Sequence, residues 1–448
     1  MKLTFFGGAR EVTGANYLLE SEGTKILVDC GLHQGLSETE KKNYKPFSFP
    51  VATLSCVLIT HAHIDHIGLV PKLYKEGYRG PIYSTEPTKD VARDLLLDTQ
   101  HLMEKEASLG AVYGVDDVEG ALSLWKVVEY HKPFSIGPME VEFYDAGHIL
   151  GSASIKIISE GKSIVFSGDL GNVPAPLVRD TEYIHTADYA LVESAYGGRV
   201  HESVIERKSV LEDLIEETVK KGGVLLIPAF AMERTQELLY ELSDLVEHGS
   251  IPRVPIFIDS PLAIKMTTIY EKYMENPSFL DAEAVDRTRS GEKIFNFSGL
   301  NFTFTKEESK KINEVLPPKV IIAGAGMSNG GRIVHHEVRY LSDPQSTILF
   351  VGFQTEGTIG RLILNGAREI SLLGQRVPIR CSVKAIGGYS AHADQPLLLA
   401  WVSSMKTTLK KVFVVQGEED QSHALESKIK DELAIDATVP VIGQTYEL

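Results

Sequence analysis

Short apolar runs separated by glycine-containing turns open the chain at residues 3–6, 16–19, 25–28 and 54–59, a pattern that predicts β-strands. The run at 54–59 is continuously apolar, as a strand buried on both faces requires. It leads straight into Thr60-His61-Ala62-His63-Ile64-Asp65-His66, and strand-end loops of this kind commonly carry functional side chains. Further strands are predicted at 141–144 and 163–166, ahead of the glycine-flanked His148 and Asp169. After Glu193 the rhythm changes. Strands at 224–228, 256–258, 320–323 and 348–351 alternate with helical patterns at 233–246, from Pro261 and near Arg332, which predicts a parallel sheet covered by helices. Short strands return from about Pro378, with an apolar run at 411–415 and a helical pattern at 424–432. The chain therefore reads as an α/β protein in which one domain, 1–194 with 366–448, is interrupted by a second, 195–365.

Length and composition fit this division. A chain of 448 residues exceeds one ordinary core, and 43% hydrophobic with 24% charged residues excludes a disordered or collagenous chain. The net charge of −16 excludes a generally cationic surface, so a nucleic-acid substrate requires a local basic groove. Cys30, Cys56 and Cys381 are too far apart for a zinc ribbon or a redox pair and fit a reducing, cytoplasmic setting. Neither an export leader nor an apolar run of membrane-spanning length (~18 residues) is expected.

His61 and His63 lie two apart, so in an extended segment they project to one side and can share a metal ion. Asp65 and His66 follow after a turn, with Gly68 just beyond, and can serve a neighbouring ion about 3.5–4 Å away. Taken singly, His148 could be a core histidine and Asp169 a turn former. Behind the double-histidine motif both read as further ligands, in crowded segments where glycine admits close backbone approach. Glu193 and His392, taken singly, could be a surface carboxylate and a helix-capping neighbour.

These motifs make the chain resemble the metallo-β-lactamase-fold nucleases of the β-CASP group, which includes the pre-mRNA 3′-end processing endonuclease and ribonuclease J. Asp29 in Leu27-Val28-Asp29-Cys30-Gly31 corresponds to the first fold motif, His61/His63/Asp65/His66 to the second, His148 to the third and Asp169 to the fourth. Glu193 in Leu191-Val192-Glu193-Ser194-Ala195-Tyr196-Gly197 corresponds to motif A, and His392 in Tyr389-Ser390-Ala391-His392-Ala393-Asp394 to motif B. The resemblance covers nearly the whole chain. It implies a metallo-β-lactamase αββα sandwich with an inserted β-CASP domain and two zinc sites. His61, His63 and His148 would form the first site and Asp65 and His66 would add to the second. Asp169 would bridge the two, Asp29 would orient the loop, and the motif-A carboxylate Glu193 would hold the motif-B imidazole His392 and raise its proton affinity, as a general acid requires.

Two positions depart from the family pattern. Gln416, in Val414-Val415-Gln416-Gly417-Glu418, stands where the RNA-cleaving members have the motif-C histidine, which implies a weaker second site or a harder ion such as Mn²⁺. His423 is a possible substitute. Gly198 replaces the aspartate expected before Arg199, which puts the hydrogen bonding of that turn in question.

Substrate contacts are less sharply marked. Residues 228–234 and the glycine-rich 324–332, which contains Ser328, lie at strand-to-helix junctions that either attract phosphate or pack tightly under a helix. Arg332, His335, His336 and Arg339 share one predicted helix face, either a phosphate stripe or an ordinary solvated face. The resemblance favours a basic groove between the domains, with Arg199, Arg234, Arg332 and Arg361 on the RNA backbone and Ser328 and Ser390 as further contacts. Tyr196, Phe230 and Tyr389 would either stack on bases or pack. Lys306/Lys310/Lys311 and Lys406/Lys410/Lys411 read as solvated helical faces.

The implied activity is two-metal hydrolysis of single-stranded RNA in processing or decay, with Asp65, Glu193 and His392 in the catalytic set. A homodimer is possible. The alternatives are a DNA nuclease of the same fold, since the DNA-acting members lack the motif-C histidine, and a non-catalytic RNA-binding or scaffolding subunit with a degraded second site. The retained ligands and the Glu193/His392 pair oppose the scaffold.

Overall fold

The structure is a computed structural model that describes residues 1–35, 37–106, 110–201, 204–352, 354 and 357–448. It divides into two units, Met1–Val200 with His392–Leu448, and His201–Ala391.

The first unit is built on two sheets. One contains Lys2–Gly7, Asn16–Ser21, Thr24–Val28, Cys56–Leu58, Ile82–Ser84 and Trp125–Val127 in sequence order, with Thr445–Glu447 returning beside the first strand. The other runs Ala437–Thr438, Lys411–Val415, Tyr189–Glu193, Lys162–Phe166, Ala153–Ser159, Met139–Asp145 and Phe134–Ile136. Alternating side chains decide which faces meet. Leu3, Phe5, Ile26 and Val28 of the first sheet share one buried cluster with Val141, Phe143, Ile155, Phe166, Leu191 and Phe413 of the second. The Phe5 and Phe413 rings lie 5.4 Å apart. The opposite face of the second sheet, with Val165, Ala190, Val192, Val412 and Val414, buries Leu398, Trp401 and Val402 of helix Gln395–Ser404 and Leu425 of helix Glu419–Lys428. Burial on both faces explains why these strands are continuously apolar.

Strand direction places the chemistry. Lys162–Phe166, Tyr189–Glu193 and Lys411–Val415 are mutually parallel, and Met139–Asp145 points the same way through its antiparallel partner Ala153–Ser159. Asp169, Glu193, Gln416 and His148 therefore emerge at one edge of the sheet. In the other sheet Thr24–Val28 and Cys56–Leu58 are parallel and deliver Asp29 and the His61–His66 loop.

The second unit has an all-parallel sheet in the order Leu300–Phe302, Ile256–Asp259, Lys319–Ala323, Val224–Pro228, Thr347–Phe350 and Ser382–Ala385. Its faces are covered by helices that include Arg234–Glu247, Pro261–Tyr273 and Ile333–Tyr340. The seam expected at 365/366 differs from the division observed, which falls before His392. The intervening segment stays with the second unit because Ser382–Ala385 pairs with Thr347–Phe350. Among the helical expectations, 424–432 lies across the end of Glu419–Lys428 and the wider turn Ile429–Leu433. Lys406, Lys410 and Lys411 share no helix: Lys411 begins a strand, and Lys410 and Lys411 pair with Asp188 and Asp436 at 2.9 and 2.8 Å. Among the described residues no helix is long and apolar enough to cross a membrane.

Buried polar groups pin the second unit internally. Asp259, at the end of its strand, accepts hydrogen bonds from Arg332 (2.7 Å), His336 (2.7 Å), Ser309 (2.6 Å) and Thr303 (2.6 Å). Burial alone would raise its carboxyl, but these donors, His336 foremost, hold it well below the usual carboxylate range. Glu337 is the opposite case. It is fully buried, and among the described residues it accepts only the Ser328 hydroxyl, its second carboxyl oxygen having no partner there, so burial pushes it up to about 7.

Because burial raises the folded-state value above the ordinary 4.5, Glu337 costs no stability while both states are protonated, and its penalty grows as pH rises from about 4.5 and is complete above about 7. Glu337→Gln is expected to match the wild type in unfolding stability at pH 4 and to exceed it at pH 8 by about 1–3 kcal/mol. A difference independent of pH would show that the carboxyl does not ionise in this range.

Candidate metal centre

The His61 loop is shaped by Asp29. This residue has φ 59°, and its two carboxylate oxygens accept the Thr60 N–H (2.8 Å), the Thr60 hydroxyl (2.8 Å) and His66 Nδ1 (2.7 Å). Holding the Nδ1 proton turns the lone pair of His66 Nε2 away from Asp29 and toward Asp169. Gly31 lets the chain close here, since a Cβ at that position would meet the Asp65 carbonyl oxygen at 1.5 Å. Gly171 does the same for the loops of Asp169 and His148: its Cβ would lie 1.8 Å from the Gly147 carbonyl oxygen. The His148 loop is itself closed by Ser152, whose hydroxyl accepts the His148 N–H at 3.0 Å.

His61 Nε2, His63 Nδ1 and His148 Nε2 converge, with separations of 3.0 Å (His61 to His63) and 3.1 Å (His63 to His148). Asp169 Oδ2 completes the group at 3.4 Å from His61 Nε2 and 3.5 Å from His148 Nε2. A tetrahedron with arms of about 2.0–2.1 Å has edges of about 3.3–3.4 Å, so the four donors suit an ion such as zinc. Burial lowers the proton affinity of all three imidazoles, which keeps their lone pairs available. The residues thus fit a divalent metal on their own geometry and donor chemistry.

A second set adjoins the first through Asp169. Its Oδ1 lies 3.3 Å from His66 Nε2, with Asp65 Oδ2 at 4.0 Å from the same nitrogen. The Gln416 amide end sits 2.8 Å from both His66 Nε2 and Asp169 Oδ1. Gln416 therefore shares the Asp169 Oδ1 side of the centre with His66. His423 does not substitute: it is exposed on helix Glu419–Lys428 and bonded to Glu426 at 2.8 Å.

Glu193 is fully buried at its strand end, where Oε1 accepts the Leu170 N–H at 2.7 Å. His392 Nδ1 lies 3.2 Å from Glu193 Oε2 and 3.8 Å from Asp169 Oδ2, with the side chain 28% exposed. Burial alone would lower the His392 proton affinity, but the Glu193 and Asp169 carboxylates overcome it and push the imidazole up to about 9. Gly198 does not leave its turn unsupported, because its N–H donates to Gln421 Oε1 at 3.0 Å.

A Beta-Casp domain model matches residues 235–363, a metallo-beta-lactamase superfamily domain model residues 18–173, and a Zn-dependent metallo-hydrolase RNA specificity domain model residues 376–440. Ribonuclease TTHA0252 of Thermus thermophilus is 38% identical to this chain over 426 residues, covering 95% of each protein. The chain belongs to the β-CASP group of the metallo-β-lactamase superfamily. Transcription termination factor FttA of Methanosarcina mazei is 31% identical across 100% of this chain and 72% of its own length. An RNase J-like protein of Methanocaldococcus jannaschii is 31% identical over 98% of both. A crystal structure of a protein of unknown function from Enterococcus faecalis, with a TM-score of 0.58 and 11% identity over 100% and 99% of the two chains, shares the fold alone.

In this β-CASP protein the expected substrate contacts fare unequally. Arg199 lies in the first unit, half-buried, and its carbonyl accepts the Gln395 N–H at 2.9 Å. Arg234, Ser328, Arg332, Arg361 and Ser390 belong to the second unit. Arg234 is buried against Glu237, which answers its charge internally. Arg332 is 18% exposed and committed to Asp259, Thr303 and Phe304, and His336 is buried on the same carboxylate, so the expected stripe is an internal anchor with only His335 and Arg339 exposed. Ser328 is buried on Glu337, and Ser390 is buried. Arg361 remains half-buried, with Nε making no hydrogen bond among the described residues. Tyr389 is buried with its hydroxyl on Glu241 and cannot offer a stacking face, whereas Phe230 is 44% exposed and Tyr196 lies 6.1 Å from the His392 ring. Thr60, Ser152, Gln421 and Tyr17 were not among the expected site residues. Their sequence contexts carry no mark beyond adjacency, since each acts through a hydroxyl or amide that points at a neighbouring loop.

His63→Ala removes one of four convergent donors and is expected to lower the divalent metal content of the purified protein by about one ion per chain in elemental analysis. Unchanged metal content would remove this centre as the metal site.

Proposed function

We propose that this protein hydrolyses phosphodiester bonds of single-stranded RNA by a two-ion mechanism, in RNA processing or decay. The carrying observation is a divalent-metal donor set at one end of a fully buried carboxylate, Asp169, with the Glu193–His392 pair beside it. RNA as the substrate class is supported by the RNA specificity domain model and by the ribonuclease relative. His61, His63, His148 and Asp169 suit zinc. The set of Asp65, Asp169, His66 and Gln416 is richer in oxygen and suits a harder ion such as Mn²⁺. When bound, such ions activate water and neutralise the charge that develops on the phosphoryl oxygens.

The chain's own residues supply the rest. Asp29 fixes the tautomer and direction of His66. Glu193 holds His392 by Nδ1, so that the ring's other nitrogen carries a proton to the leaving 3′ oxygen, giving a 3′-hydroxyl and a 5′-phosphate. Asp65, half-buried beside His66, joins the catalytic set through the second ion position. In the second unit, Arg361 and the exposed Phe230 are the expected residues best placed to meet RNA. DNA cleavage is the second reading, favoured by the absence of an imidazole at Gln416.

Incubating metal-analysed protein with end-labelled single-stranded RNA and DNA of equal sequence tests the proposal. Cleavage of RNA alone is expected. Equal cleavage of both would favour the DNA reading, and no cleavage at any metal loading would sink the enzymatic one.

His392→Ala is expected to keep its metal content and RNA affinity while turnover falls by ~10² to 10⁴-fold. The deficit should shrink on a nitrophenyl phosphodiester, whose leaving group needs no proton. An equal deficit on both substrates would assign His392 to positioning.

A further inference from the structure

Gln416 has an unusual setting for a metal-facing side chain. It is buried, its backbone has φ 52°, and its N–H is anchored on the Gly8 carbonyl oxygen at 2.7 Å. A side-chain amide has a donor end and an acceptor end, and its neighbours decide which faces inward. Toward the metal centre it meets the Asp169 carboxylate and His66 Nε2, each at 2.8 Å. The Asp169 carboxylate can only accept and so favours the NH₂ end, and His66, whose Nδ1–H donates to Asp29, accepts at Nε2 when its ring is neutral. On the other side the Tyr17 hydroxyl donates to Oε1 at 3.3 Å. Tyr17 is buried, and among the described residues Gln416 is the hydrogen-bond partner of its hydroxyl. Turning the amide over would leave the phenolic O–H without an acceptor.

We propose that Tyr17 holds Gln416 with its NH₂ turned onto Asp169 and His66, so that the side chain competes with the second ion and admits it only when the amide turns over. The inference rests on the second ion position of the proposed function, but gives that position's weakness a cause beyond the missing imidazole. In the resting arrangement the amide NH₂ donates to the two atoms that a cation would otherwise bind. Ion binding breaks these contacts, and it also costs the buried Tyr17 hydrogen bond because the oxygen must come round to face the ion. Tyr17 is thus a positioning residue that acts through Gln416 and opposes binding.

The test uses zinc-loaded wild type, Tyr17→Phe, Gln416→Ala and the double variant, each titrated with Mn²⁺ while free Mn²⁺ is followed by electron paramagnetic resonance. Tyr17→Phe keeps the ring contacts with Phe5 and Phe166, at 5.9 and 6.2 Å, so the core is retained. It is expected to bind Mn²⁺ roughly tenfold more tightly than wild type, with unchanged zinc content, because a buried hydrogen bond no longer holds the amide. In the Gln416→Ala background the same substitution should change nothing, since there is no amide to hold. Weaker or unchanged Mn²⁺ binding by Tyr17→Phe overturns the proposal, as does equal tightening in both backgrounds, which would mean that the phenol acts on the site by another route. Should none of the four proteins bind an ion beyond the zinc, the two-ion reading itself fails, a result distinct from a second ion whose affinity ignores Tyr17.

Discussion

The Asp169 carboxylate is the group around which the first unit is arranged. A buried carboxylate is costly unless charges and hydrogen bonds surround it. Here His61 and His148 face one oxygen, His66 and Gln416 the other, and His392 approaches from the side. Burial works against its ionisation, yet His66 and His61 hold its proton affinity well below the usual carboxylate value. The same electrostatics serves two purposes: the anion keeps the imidazoles gathered, and it belongs to both donor sets. Strand ends from two facing sheets deliver these residues, so the packing of Phe5 against Phe413 and the position of Asp169 are one mechanical problem.

The second unit solves a similar problem with a different set of partners. Asp259 is buried at a strand end much as Asp169 is, but arginine, histidine and hydroxyl donors surround it. Its neighbours are donors, whereas His61, His63 and His148 beside Asp169 are held toward the neutral form by burial and present lone pairs. The chemical difference lies in partner protonation: an arginine neutralises a carboxylate permanently, whereas neutral imidazoles leave a negative pocket for a cation. Arg207, Arg234 and Arg332 are answered internally by Glu241, Glu237 and Asp259, so in the second unit Arg361, His335 and Arg339 are more informative about a polyanion than the overall charge of −16.

Much of the site was legible in the sequence because its ligands are locally encoded. His61, His63, Asp65 and His66 occupy one loop, and His148, Asp169, Glu193 and Gln416 each follow an apolar run whose direction the parallel sheet enforces. Helix Glu86–Glu106 had no counterpart in the sequence-based expectations, because its buried face mixes Thr88 and Gln100 with Val91, Ala92 and Leu96 and so lacks a clean apolar stripe.

The sequence by itself determined the alternation of elements, the candidate donor types and the interruption of one domain by another, since all three depend on spacing along the chain. Only the tertiary structure decided what the charged and amphipathic residues do with that framework. Arg332 reads as a phosphate contact until Asp259, 73 residues away, takes its guanidinium, and Tyr389 reads as a stacking face until Glu241, 148 residues away, takes its hydroxyl. The second seam moved to His392 because Ser382–Ala385 found a parallel partner in Thr347–Phe350. Gln416 acquired its meaning from Tyr17, 399 residues away, whose single hydroxyl chooses between the two ends of an amide. Spacing is written along the chain. The neutralisation of a buried charge or dipole is set by whichever group folding brings within about 3 Å, and that partner has no fixed distance in sequence.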